Sequence, residues 1–237
     1  MLPAASNPLE FRTREQLVYD FLRRAITEGR WGPEDPIIGS RVAAELGVSR
    51  ITIANALKRL AGEGFVRLTP HKEAVVAPLD PAEIEEIYVM RAALEAEAAS
   101  NGARRATPEQ LARLRAMNER LRQVEDSADT ATLRRIDLAL HAALRDLAGM
   151  PRLAATILNL VDQGEYYRAR LLDVHHILRP TAQRHEALLA ALEARDAARA
   201  HTLMYEHVVE GMRSVLDALD TRQTTSPDHD AVGRSDA

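Results

Sequence analysis

Asp137 and His141 stand four residues apart in the stretch ATLRRIDLALHAAL, a spacing that puts a carboxylate and an imidazole on one face of a helix. His185 and His207 lie in two later segments of helical pattern, and antiparallel packing of those segments could bring both opposite that face. One carboxylate and three imidazoles suit a divalent transition metal, zinc first, with nickel and manganese also compatible. Spacing leaves a second reading open. The chain has eight histidines and Asp-x-x-x-His is a common pattern, so the four can also be surface or satisfied core polar residues. His71 and His229 fall outside the helical segments, and His175, His176 and His201 have no obvious carboxylate partner at helical spacing and read as surface residues.

A different chemistry is written between Ala43 and Val66, AAELGVSRITIANALKRLAGEGFV. Gly47 is placed to end one short helix, where a left-handed residue is least costly, and Ser49 can cap the next through its hydroxyl. Ile53, Ala56, Leu57 and Leu60 then recur at helical spacing and predict an inward face. Arg50, Ile51, Thr52 and Asn55 fall at the exposed N-terminal end, the part of a recognition helix that reaches base edges. Arg50, Lys58, Arg59, Arg67 and Lys72 concentrate positive charge against Glu63 and Glu73 alone, although the whole chain carries a net charge of −4. That balance excludes wholesale coating of nucleic acid but not a localised basic face.

The elements that must position these groups can be read in order. Residues 1–11 read as a flexible arm. A helix is predicted from about Thr13 to Glu28 with Leu17, Val18, Phe21, Leu22, Ala25 and Ile26 on one face, stopped by Gly29. Ile37-Ile38 reads as a short extended piece, and Ser40 as the cap of a helix to Leu46. Phe65–Leu68 and Ala74–Ala77 flank Thr69-Pro70-His71-Lys72 as a hairpin wing, placed to lie along the minor groove. Together, residues 12–78 form a winged helix-turn-helix. Residues 79–81 are a linker, with Asp80 set to cap the first of six long helices over 82–220, an antiparallel all-helical domain. Thr107 caps the second of them, with Pro108 at its first position. Residues 221–237 are polar and aperiodic, and read as a disordered tail. The chain has no cysteine, no membrane-length apolar run and no signal-peptide pattern, so a cytoplasmic protein without disulfides is expected.

The order of parts resembles the GntR family of bacterial transcription regulators, in the FadR-like branch whose C-terminal bundle is the FCD ligand-binding domain. Three segments carry the resemblance, over about residues 12–218: LVYDFLRRAITEGRWGPEDPI with the helix-turn-helix stretch that follows it; LDPAEIEEIYVMRAALEAEAA, with an Arg-x-x-x-Glu pair at Arg91 and Glu95; and the set Asp137, His141, His185 and His207. The resemblance implies a homodimer on a two-fold-related DNA operator. It also implies metal ligation by those four residues, and a small carboxylate effector near the metal. Arg91 is then either a bidentate partner for that carboxylate or one half of a bundle salt bridge to Glu95. The DNA contacts implied are Arg41, Ser49, Arg50, Thr52, Asn55, His71 and Lys72. Three positions depart from the pattern: Ser40 stands before Arg41 where an arginine is common, Ala54 replaces a second recognition-helix arginine, and Glu73 replaces the wing-tip glycine. These predict a nonstandard operator or weakened DNA binding, with Asn55 able to read adenine.

The expected function is therefore a metabolite-responsive regulator, acting as a repressor, and not an enzyme. A metal-dependent hydrolase is the alternative, but the sequence offers no convincing general base near the ligands and would leave the winged helix unexplained. A metabolite-binding module with degraded DNA recognition is the third reading.

Overall fold

The computed structural model describes residues 13–69, 74–125, 129–171 and 181–225. The chain divides into two compact units, residues 1–79 and 80–237. The arm, His71, Lys72, Glu73, His175, His176 and His229 lie outside the described residues.

The first unit runs α1 (Arg14–Thr27), β1 (Pro36–Ile37), α2 (Gly39–Leu46), α3 (Arg50–Gly62), β2 (Val66–Leu68) and β3 (Ala74–Val76). The strands form one antiparallel sheet in the order β1-β3-β2, with Ile37 opposite Ala74 and Arg67 opposite Val75. Thr13 caps α1 by accepting from the Gln16 amide, Gly47 takes φ 62° at the end of α2, and Ser49 caps α3 by accepting from the Thr52 amide. Val18, Leu22, Ala25 and Ile26 of α1 meet Ile53, Ala56, Leu57 and Leu60 of α3 in the core.

Three expectations shift. Leu17 is 51% exposed, and Tyr19 is buried instead, because the stripe through residues 18, 22, 25 and 26 runs past 19 rather than 17. Ser40 makes no cap. The helix begins at Gly39 because β1 pairs with β3 only to Ile37; the chain turns at Ile38, whose carbonyl takes the Arg41 and Val42 amides. Arg59, counted in the basic face, stays exposed but is engaged within the fold: its guanidinium sits 3.8 Å from the Tyr19 ring centre and bonds Gln16 and Glu63.

The Tyr19 hydroxyl donates to Glu63, and burial followed by that hydrogen bond pushes its pKa up to about 12. A phenol that ionises near 10 when unfolded but near 12 when folded favours the native state fully below pH 10. That contribution should fade as pH rises from 10 to 12. Alkaline melts of the wild type and Tyr19→Phe should therefore differ in pH slope over this window; parallel curves would refute the coupling.

The second unit is helical: α4 (Pro81–Arg105), α5 (Pro108–Glu125), α6 (Thr130–Asp146), α7 (Pro151–Leu171), α8 (Thr181–Glu193) and α9 (Ala197–Thr225). Asp80 caps α4 by accepting from the Ala82 amide. Thr107 and Gln110 exchange side-chain and backbone bonds at the start of α5, a reciprocal cap. α4 packs chiefly on α9 and α7. Its buried Ala92, Ala96, Ala99, Gly102 and Ala103 allow close approach, and a Cβ at Gly102 would come within 3.0 Å of the Leu147 side chain. Leu121, Leu133, Ile136 and Ala182 form a cluster joining α5, α6 and α8. α9 continues past Thr221 to Thr225, five residues into the segment expected to be a tail. Thr221 bonds back to the Asp217 carbonyl at 2.8 Å, as a residue within a continuing helix does. No helix among the described residues is long and apolar enough to cross a membrane.

Candidate metal centre and adjoining cavity

α6 presents Asp137 and His141 on one face, α8 supplies His185 and α9 supplies His207. The three imidazoles converge, with ring centres 5.0 Å or 5.1 Å apart in every pairing and one nitrogen of each within 4.8 Å of the others. Asp137 Oδ1 lies 3.8 Å from both His141 Nε2 and His185 Nε2. His141 Nε2 and His207 Nε2 are 3.2 Å apart, a separation reached when two neutral rings share a proton or face a common cation.

The donor set fits a divalent metal. Asp137 Oδ1 and His185 Nε2 are buried with no hydrogen-bond partner, and leaving such groups unmatched is costly unless an ion takes them. Burial lowers the pKa of all three histidines. For His141 and His207 the neighbouring imidazoles add to it, whereas Asp137 partly opposes it at His185. Each ring is thereby held in the neutral form that ligates.

α8 is itself held by α5. Asn118, 1% exposed, donates from Nδ2 to the Ala182 carbonyl at 3.0 Å, and Glu125 Oε1 accepts the Ala182 amide at 3.1 Å. These bonds fix the helix turn before His185.

Beside the cluster is a small cavity lined by Tyr88, Arg91, Glu95, Glu165, Arg168 and the ligands of α6 and α9. Arg91 forms the salt bridge to Glu95 that was one of its two expected roles. Its Nε donates to Glu95 Oε1 at 2.9 Å inside the bundle, while its Nη1 is buried with no hydrogen-bond partner. Burial alone would lower the Arg91 pKa, but the Glu95 carboxylate carries it above its ordinary value, so the charge is kept. Glu95 also reaches toward the metal cluster, with Oε2 3.9 Å from His141 Nδ1.

Sequence reasoning did not single out the side chains that α7 brings to this cavity. Glu165 is clasped by Arg134 at 2.6 Å and Arg168 at 3.1 Å, and Gly164 leaves the space that Arg91 occupies. The available signal was the spacing of Gly164, Glu165 and Arg168, which share a helix face with Val161. A Cβ at Gly164 would sit 2.6 Å from Arg91 Nη1. Gly164→Ala should therefore move the guanidinium rather than break the bundle, because the crowded atom ends a flexible side chain. The expected result is a melting temperature changed by only a few degrees, as for about 1 kcal/mol, with ligand affinity at the cavity reduced tenfold or more. Unchanged affinity would show that Arg91 is not positioned by this gap.

In the first unit Arg41, Ser49, Arg50 and Asn55 are exposed, and Thr52 is half-buried with its hydroxyl 2.8 Å from that of Ser49.

Residues 14–76 match the model of the bacterial regulatory proteins of the gntR family, and residues 86–210 match the FCD domain. The chain is 26% identical over 219 residues to an uncharacterised HTH-type transcriptional regulator of Streptomyces ambofaciens, covering 92% of this chain and 89% of that one. It is 25% identical over 202 residues to the HTH-type transcriptional repressor RspR of Escherichia coli K12, covering 84% and 88%. The solved structure of E. coli McbR/YncC superposes with a TM-score of 0.73 at 23% identity, covering 88% of this chain and all of that one, a likeness of fold.

Proposed function

Because the chain belongs to the GntR family of bacterial regulatory proteins and carries an FCD domain, we propose that this transcriptional regulator represses as a homodimer on a two-fold-related operator. A small carboxylate effector bound beside a divalent metal releases it. The family and the relatives are regulators of transcription, not enzymes. RspR is a repressor, which supports the sign of regulation proposed here.

The observation that carries the effector reading is Arg91, a buried guanidinium with an unpartnered Nη1 in the wall of a cavity that Asp137, His141 and His207 also border. Asp137, His141, His185 and His207 would hold the metal. When bound, the ion supplies two positive charges and open coordination positions for a carboxylate. Without it, Arg91 and Arg168 face three acidic side chains of the lining, Glu95, Asp137 and Glu165, and an anion is disfavoured. With it the balance turns positive, so the cation and the carboxylate should bind cooperatively. Arg91 orients the carboxylate, Glu95 fixes Arg91, and the surrounding helices exclude water, which strengthens each contact.

The test is a thermal-shift screen of small mono-, di- and tricarboxylates on metal-loaded and chelator-stripped protein, followed by operator binding with the best hit. The expected result is a carboxylate whose affinity falls at least tenfold on stripping and which weakens operator binding. Neutral analogues that bind equally well, or a hit indifferent to the metal, would overturn the effector reading. Tightened operator binding would overturn repression relieved by effector.

A further inference from the structure

α3 has an outward face whose chemistry is distinct from its basic surroundings. At about 100° per residue, the inward set Ile53, Ala56, Leu57 and Leu60 centres on one side, and Ile51 points almost directly away from it. Ile51 is 73% exposed, the highest value among the large apolar side chains of the described residues. Ala54 and Asn55, three and four residues on, are its neighbours on that surface and are also exposed.

Ser49, Thr52 and Arg59 are engaged within the fold, whereas Lys58 is exposed two turns on from Ile51. The Ser49 and Thr52 hydroxyls lie 2.8 Å apart, and the Ser49 oxygen also takes the Thr52 amide. Arg59 is held by Tyr19, Gln16 and Glu63. In the first two turns, the surface presented for base edges is Arg50, Ile51, Ala54 and Asn55.

In the major groove, apolar contact selects the thymine C5-methyl, and an asparagine amide matches the N6 and N7 edge of adenine. We propose that Ile51, with Ala54 beside it, packs on thymine methyl groups and that Asn55 pairs with an adjacent adenine. The centre of each operator half-site is then read as A·T rather than G·C. This rests on the operator-binding reading above. Arg50, at the first position of the helix, is left for a flanking base or phosphate.

The experiment is selection of operators from random duplex DNA with the full-length protein. Uracil is then placed for thymine, one position at a time, in the best site, with binding measured for wild type, Ile51→Ser and Asn55→Ala. Each uracil at a contacted position should weaken the wild type about fourfold, the worth of one buried methyl, and should leave Ile51→Ser nearly unaffected. Asn55→Ala should lose fivefold or more, and with it the preference for the adenine. Since Ile51 and Asn55 are exposed, unchanged melting temperatures verify that both variants are folded. Enriched sites with G·C under the helix centre, or a uracil effect equal in wild type and Ile51→Ser, would overturn the proposal and leave operator binding intact. A pool with no enriched sequence would overturn both.

Discussion

Protein carrying His185→Ala is expected to lose stoichiometric metal, where the wild type purified without chelator or affinity tag holds about one ion per chain. His185 is 1% exposed and supplies α8's donor to the cluster, so its loss leaves donors from α6 and α9 alone. Disturbing even the groups that orient a ligand costs about 10–100-fold in metal affinity, so removing the ligand itself should cost at least about 100-fold. The wild type should gain about 2.7 kcal/mol from metal at a hundredfold excess over its dissociation constant, and the variant should gain almost none. Because deleting a buried imidazole also leaves a void, Asp137→Asn serves as the near-isosteric companion. It keeps the volume and removes the charge. Elemental analysis and melts with and without added zinc, nickel or manganese read both effects. Retention of one ion per chain in both variants would sink the four-residue site.

The second large effect is expected at Glu95. Glu95→Ala leaves the buried Arg91 guanidinium without its carboxylate, and breaking a buried pair from one side typically costs about 3–5 kcal/mol. The double variant Arg91→Met with Glu95→Leu should recover most of that loss, since a buried ion pair replaced by apolar groups of similar volume is often neutral. Chemical denaturation of the two singles and the double gives the coupling energy directly. The functional readout separates the two roles of Arg91. The double variant should be stable and yet fail to bind the carboxylate, whereas Asn118→Ala should loosen α8 and reduce metal affinity with Arg91 left in place. A cost below about 1 kcal/mol for Glu95→Ala would mean that water reaches the pair in solution, and the dry-cavity argument would fall with it.

Much of this was legible in local sequence because its causes are local. Gly47 and Ser49 mark the turn between α2 and α3 through backbone conformation and a cap, and both do so in the structure. Asp80 and Thr107 likewise start α4 and α5. Ser40 failed as a cap because strand pairing at Ile37 decided where the helix began, a constraint that no neighbouring residue encodes. The burial of Tyr19 and the contacts of Arg59 were not legible for a related reason. Each finds a partner forty or more residues away, Tyr19 in Glu63 and Arg59 in Gln16 and Tyr19.

By itself the sequence determined two units, the inward and outward faces of the recognition helix, and a carboxylate and imidazole on one face of α6. All follow from helical periodicity and capping, which act over a few residues. Tertiary structure alone decided that α8 and α9 bring His185 and His207 to that face. It also decided that Glu95 lies between Arg91 and His141, and that Gly164 makes room for the Arg91 guanidinium. Those relations join side chains far apart in the chain, and they exist only where helix packing brings their faces together.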